Sequence, residues 1–244
     1  MVLPEDASNE RIRAARRTIR DYLKRRGVPG IVKVVKAPDV MEGLLTLINT
    51  YGFGPISPNT ILVGDTEQSR QFLAFTRLIM AVWRRQRNFI FVREGVQREE
   101  EDAPAFIDLW WQGKGPNAWF MLALAHLLGQ NPEWARTPLR LSTVIRTAEE
   151  REEAENRLRL FIRQARISAT FRVIEHGEGE IFDTIRACSA EARLCFLGLR
   201  PPTQDESPED YSAYYKTLLE KSRDFPLTAF CLANEQIEFS RIFL

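Results

Sequence analysis

"FIDLWWQGKGPNAWFMLALAHLLG", residues 106–129, decides how the chain is read. Its first six residues are apolar and aromatic around one aspartate, the composition of a short buried strand. QGKGPN breaks the run with two glycines and a proline. The remaining stretch is apolar on every side and stops at Gly129 and Pro132, the pattern of a buried helix. A strand that leads at once into a core helix is the first half of a βαβ unit.

The alternation continues downstream. "LRLSTVI" (139–145) reads as a strand and leads to a charged helix from Thr147 to Arg166. Thr147 and Glu150 have capping-box spacing. Glu153–Arg157 and Glu155–Arg159 are i,i+4 pairs in the favoured order. Strand "ATFRVIE", helix "IFDTIRACSAEA", strand "RLCFLGL", helix "EDYSAYYKTLLEKS" and strand "LTAFCLA" complete the chain. "GLRPPTQDESPED" (198–210) reads as a long mobile loop.

Upstream, "NFIFVRE" is a strand, and the polar "GVQREEEDAP" separates it from the next. Residues 67–85 read as a helix with Phe72, Phe75, Ile79 and Val82 aligned and Arg70, Arg77 and Arg84 on the other side. "TILVG" is a strand preceded by a helix from Pro38 to Tyr51, and "IVKVVKA" is another short strand. Residues 8–26 form a helix closed by Gly27, with Ile12, Ala15, Ile19, Tyr22 and Leu23 on one face. Alternating helices and about eight short strands predict an α/β fold, a mainly parallel twisted sheet with helices on both faces. Pro132 and Pro138 predict a division into an N-terminal α/β subdomain, 1–134, and a C-terminal one, 135–244.

The 244 residues are 44% hydrophobic and 27% charged, enough for a substantial core. With 34 Lys+Arg against 33 Asp+Glu, no global field directs the chain to nucleic acid. Locally, helix 8–26 is an anomaly. Arg11, Arg13, Arg16, Arg17, Arg20, Lys24, Arg25 and Arg26 face only Glu10 and Asp21, which leaves a solvated face or a surface near anionic lipid or an acidic partner. Cys188, Cys195 and Cys231 lack metal-ligand spacing and read as buried free thiols. The start, MVLPEDASNE, is too polar for a signal peptide. The apolar stretch at 119–129 is far short of the ~20 residues of a membrane span.

Chemistry-bearing signals are sparse. His126 sits in the apolar helix, where packing is expected, and His176 at a strand end. No GxSxG, HExxH or Walker A pattern occurs. "YGFGPISPNTILVGD" (51–65) has two glycines, yet it precedes a strand, whereas a dinucleotide loop comes after one. Gly52 and Gly54 are therefore read as ending a helix, with Asn59 and Thr60 leading into the strand that Gly64 closes. Asp65, Asp102 and Asp108 lie near strand ends, where any two could converge. The acidic run Glu99–Asp102 reads as a solvated loop. No catalytic residue, metal or cofactor is expected.

The order of segments resembles the cytoplasmic C-terminal domain of the cation-chloride cotransporters, the Na-K-Cl and K-Cl symporter family. "APDVMEGLLTLINTYGFGPISPNTILVGD", "NFIFVREG", "IDLWWQGKGPNAWFMLALAHLL", "PLRLSTVIRTAEEREEAENRLRLFIRQARISATFRVIE" and "DFPLTAFCLANEQIEFSRIFL" carry the resemblance, the Asp108–Trp110–Trp111 strand most specifically. After Trp111 the family often has acidic residues and paired glycines, where this chain has QGKGPN. The family's domain also usually begins with a further strand-helix-strand portion, so the resemblance implies a fragment of a longer protein. It implies a fold similar to universal stress proteins and a non-enzymatic regulatory module on the cytoplasmic face of the cell membrane. The partners implied are a second copy of the chain, as a homodimer, and the transmembrane domain of the same polypeptide, which carries chloride with sodium and/or potassium. Gly52, Gly54, Asn59, Thr60, Gly64, Asp108, Trp110 and Trp111 would be structural. Tyr211, Tyr214 and Tyr215 crowd one helix and are the candidate interface. The alternative is a universal-stress-type sensor binding a nucleotide such as ATP at strand ends, against which "FLGLRPPTQDES" offers one glycine and two prolines.

Overall fold

A computed structural model describes residues 1–50, 58–65, 71–96, 106–112 and 115–234. Gly52, Gly54, Arg70, Asp102, the run Glu99–Asp102 and the terminal segment 235–244 lie outside the described residues. The chain divides into two units, Met1–Pro58 and Asn59–Leu244.

In the first unit, β1 (Val2–Leu3) pairs in parallel with β2 (Val35–Lys36). The ladder is two residues long, shorter than the expected strand over 31–37, because Pro4 comes directly after Leu3 and has no N–H to extend it. Helix α1 (Asn9–Arg25) starts at Ser8, whose hydroxyl accepts from Arg11 N. Just beyond its end lies Gly27 at φ +65°, where the chain reverses without a Cβ penalty. Helix α2 (Val40–Thr50) is capped by Asp39, whose carboxylate accepts from Glu42 N, and Gly43 lets it approach Val2.

The second unit holds a seven-stranded sheet, a mainly parallel sheet with helices packed around it. Its strands are β3 (Thr60–Gly64), β4 (Asn88–Arg93), β5 (Phe106–Trp110), β6 (Leu139–Ile145), β7 (Thr170–Glu175), β8 (Ala192–Gly198) and β9 (Thr228–Leu232), in spatial order β3-β4-β9-β8-β5-β6-β7. Every pairing is parallel except β4 with β9. The position between residues 134 and 135 falls inside this unit, and β5 and β6 on either side of it pair directly.

Among the described residues, five helices cover the sheet: α3 (Phe72–Arg84), α4 (Asn117–Gly129), α5 (Arg151–Ala165), α6 (Ile181–Cys188) and α7 (Pro208–Lys221). Strand alternation sorts the core into two layers. Ile107, Leu109 and Trp111 face α4 and α5, where Trp111 stacks on Phe161. Phe89, Phe91 and Phe230 face α3 and α7, with Phe75 and Tyr215 edge-on or tilted against them. Trp110 turns to this second layer and donates its Nε1–H to Ser189, the residue capping α6, at 2.8 Å.

Candidate functional site

Five parallel strands, β9-β8-β5-β6-β7, fix where a ligand would bind. The first of them in the chain, β5, sends the next two to one side and the last two to the other, so the order reverses between β5 and β8. In open α/β sheets the crevice at that reversal, beyond the strand carboxyl ends, is the binding position. A cleft of about 230 Å³ lies there, lined among others by Trp110, Gln112, Thr143, Leu197 and Gly198.

Gln112, Thr143, Glu150 and Arg157 are its polar lining, and further polar side chains tie the chain beside it. Asn117, the first residue of α4, donates from Nδ2 to Leu199 O at 2.8 Å and accepts at Oδ1 from Ala233 N at 2.7 Å. One amide thus ties the ends of β8 and β9 at a helix N-terminus, where a phosphate would need free donors. Gly198 lies against it; a Cβ there would be 3.0 Å from Asn117 Nδ2.

The segment after β8 is pinned rather than mobile. Arg200 makes a two-pronged ion pair with Glu206, at 2.9 and 2.6 Å. Tyr214 Oη accepts from Arg200 N, and Tyr211 Oη donates to Arg200 O. The guanidinium lies over both rings, 5.2 and 4.6 Å from their centroids. The Arg200 fork holds the Glu206 carboxyl below its ordinary value, while burial raises the phenols of Tyr211 and Tyr214. Helix α7 then begins with Ser207 as cap, Pro208 without an N–H, and Glu209 and Asp210 in its first turn. Such an N-terminus repels a phosphate instead of cradling it.

The other candidates fall into separate clusters. Asp108, wholly buried, receives Arg140 through Nε at 2.7 Å and Nη2 at 2.9 Å. Arg172 stands 3.5 Å from the same carboxylate, and both arginines donate to Cys188 O at the end of α6. Asp65 lies elsewhere, accepting from Tyr215 Oη with Arg93 Nε at 3.6 Å. The two aspartates do not converge; each has its own cation. Asn59 and Thr60 join β3 to β4 through Asn88, whose Oδ1 also accepts from Asn234 N. Gly64 is exposed, with open space around it.

The crowded tyrosine helix is turned inward. Tyr211 and Tyr215 are buried within the chain, against Arg200 and against Phe75 and Phe91, while Tyr214 is half-buried. The expected interface therefore loses two of its three residues to the core. His126 is exposed at the end of α4 beside Gln130, which corrects the expectation that its ring packs. His176 contacts Thr184 Oγ1 and Gly179 O. Among the described residues, no group of three or more His, Cys, Asp or Glu side chains is placed to hold a metal ion, and no helix is long and apolar enough to cross a membrane.

No family model matches the chain. Among solved structures, the cytoplasmic domain of a prokaryotic cation chloride cotransporter is similar at 16% identity and TM-score 0.68, covering 97% of this chain and 85% of that one. A putative universal stress protein from Pseudomonas aeruginosa is similar at 11% identity and TM-score 0.55, covering 99% and 85%. A universal stress protein from Archaeoglobus fulgidus is similar at 10% identity and TM-score 0.57, covering 93% and 78%. These likenesses establish the α/β fold that the chain shares with cotransporter cytoplasmic domains and universal stress proteins.

Proposed function

We propose that the chain is a non-catalytic regulatory and dimerisation domain on the cytoplasmic side of a cation-chloride cotransporter. The observation that carries this reading is the rim of the switch-point crevice. Beside it, Asn117 ties the ends of β8 and β9 and the Arg200–Glu206 fork holds the segment after β8, so neither stretch is a glycine-rich run of free N–H groups. The fold likeness to a cotransporter domain supports the same reading. So do the Asp108–Trp110–Trp111 strand and the structural roles proposed for Asn59, Thr60 and Gly64. A regulatory domain of this kind would act through surfaces, on a second copy and on the transporter that carries it. The dimer contact would lie away from Tyr211 and Tyr215.

An antibody raised against the chain tests this in the source cells. The expected result is a membrane-fraction band far heavier than the 28.2 kDa of this chain. A band of that small size in the soluble fraction overturns the reading. The cleft between β5 and β8 favours a second reading, a universal-stress-type nucleotide sensor. Calorimetry with Mg-ATP separates the two: no heat of binding is expected, and a micromolar constant selects the sensor.

A further inference from the structure

We propose that α1 is a membrane-surface helix that lies in the headgroup layer of an anionic bilayer. No residue of α1 is buried, and Tyr22 in its apolar stripe is 52% exposed. Ile12, Ala15, Ile19 and Leu23 are half-exposed. Helices of this length are marginal in water without packing on one face, so a stripe covered only in part calls for a further covering surface.

The charge pattern identifies that surface. At about 100° per residue, Tyr22, Ala15, Ile19, Ile12 and Leu23 fall within an arc of about 100°. Arg16, then Arg20 and Arg13, come next on one flank, and Arg11 and Arg25 on the other, while Arg17 and Lys24 share the polar face with the acids. Glu10 and Asp21 sit near the middle of the polar face, pointing away from the stripe. Among the described residues none of these basic side chains is ion-paired. Cations on both edges of a narrow apolar stripe, with the acids opposite, match a lipid–water interface. The stripe enters the acyl boundary while the arginine and lysine stems reach back to lipid phosphates. An acidic protein surface would satisfy the cations without needing the stripe. A second copy of α1 would bring two basic flanks together at a cost in repulsion. The inference holds whether the chain is a transporter domain or a free-standing protein.

Co-sedimentation of the 244-residue chain with phosphatidylcholine vesicles, with and without phosphatidylglycerol, tests it. Binding is expected at least about tenfold stronger on the anionic vesicles and weakened by salt. Because each basic residue near the surface contributes about fivefold, the Arg16→Glu, Arg20→Glu double variant should lose at least about a hundredfold. Ile19→Asn, which keeps every charge, should lose about tenfold. Both variants are at exposed or half-exposed positions, and unchanged melting of the chain confirms that the fold survives. Equal binding to neutral vesicles, or full binding by the arginine variant, overturns the proposal. Loss in the arginine variant with none in Ile19→Asn shows adsorption by charge alone, with the stripe outside the headgroup layer, and also overturns it. So does a wild-type dimer that Ile19→Asn dissociates, since a second copy would then cover the stripe.

Discussion

Asp108 and Arg140 stand directly opposite each other on neighbouring parallel strands and meet in a two-pronged pair at 2.7 and 2.9 Å. Both are buried, and the Arg140 guanidinium also covers the Phe106 ring at 3.9 Å. Removing one partner leaves the other charge buried and uncompensated, which costs about 3–5 kcal/mol. Asp108→Asn and Arg140→Met should each lower stability by that order in urea unfolding. Asp108→Leu combined with Arg140→Leu should cost less than the sum of the single changes. Additive losses would show that the two residues act independently.

Asn117 and Gly198 make a second coupled pair. Asn117→Ala strands Leu199 O and Ala233 N, at about 1–3 kcal/mol for each group left buried without a partner. Gly198→Ala presses a Cβ onto the Asn117 side chain, 3.0 Å from Nδ2 and 3.4 Å from Cβ, and should disturb the same two bonds. Gly64→Ala meets open space and should shift stability by no more than about 0.5 kcal/mol. A melting series of the three variants checks the ordering.

Tyr215 is a stability residue. Its hydroxyl donates to the Asp65 carboxylate, and its ring packs on Phe75 and Phe91. Tyr215→Phe keeps the ring and removes a charge-assisted bond, with an expected loss of about 1.5–3 kcal/mol. Tyr215→Glu should prevent folding, so a change in sedimentation on that substitution would report unfolding and not an interface.

Long periodic segments were legible in the sequence, and side-chain closures between distant segments were not. The apolar helix 117–129 and strands 60–64 and 139–145 lie where composition and turn residues placed them. The i,i+4 pairs of α5 form at 3.6 and 3.2 Å. The Thr147–Glu150 box forms differently: Glu150 accepts from Arg146 N, while Thr147 gives no side-chain cap to the 3-10 turn at Ala148–Glu150. The β1–β2 ladder is too short for any period to reveal. The Arg200–Glu206 fork joins residues in a stretch whose prolines and polar residues read as mobile; only the two tyrosines of α7, meeting that stretch in space, make it rigid. Helix geometry sets Tyr214 and Tyr215 about 100° apart, but the wheel alone does not say which of the two faces the sheet.

The Arg200–Glu206 fork gives the segment a pH dependence of known sign. The hydrogen bonds from Arg200, then the one from Thr203 N, lower the folded-state value of Glu206 from its ordinary 4.5. A lowered carboxylate contributes stability above the unfolded value, and that contribution is lost as pH falls through the folded one. Between pH 7 and about pH 3, the wild type should therefore lose more melting temperature than Glu206→Gln. Parallel losses in the two proteins would remove Glu206 from the acid response.

The three cysteines report on how the sheet opens. Cys195 on β8 and Cys231 on β9 are fully buried in the centre of the sheet, and burial raises both thiols above their ordinary value. A thiol held protonated and out of solvent does not attack a disulfide reagent. Cys188, at the end of α6, is partly exposed. Under native conditions Ellman's reagent should titrate one thiol per chain quickly, and Cys188→Ser should abolish that phase. The other two should react only at the rate of global unfolding, because their side chains point from central strands into the packed layers between sheet and helices. In denaturant all three should react together. Fast native labelling of Cys231 alone would mean that the layer it shares with α4 opens locally, ahead of the rest of the core.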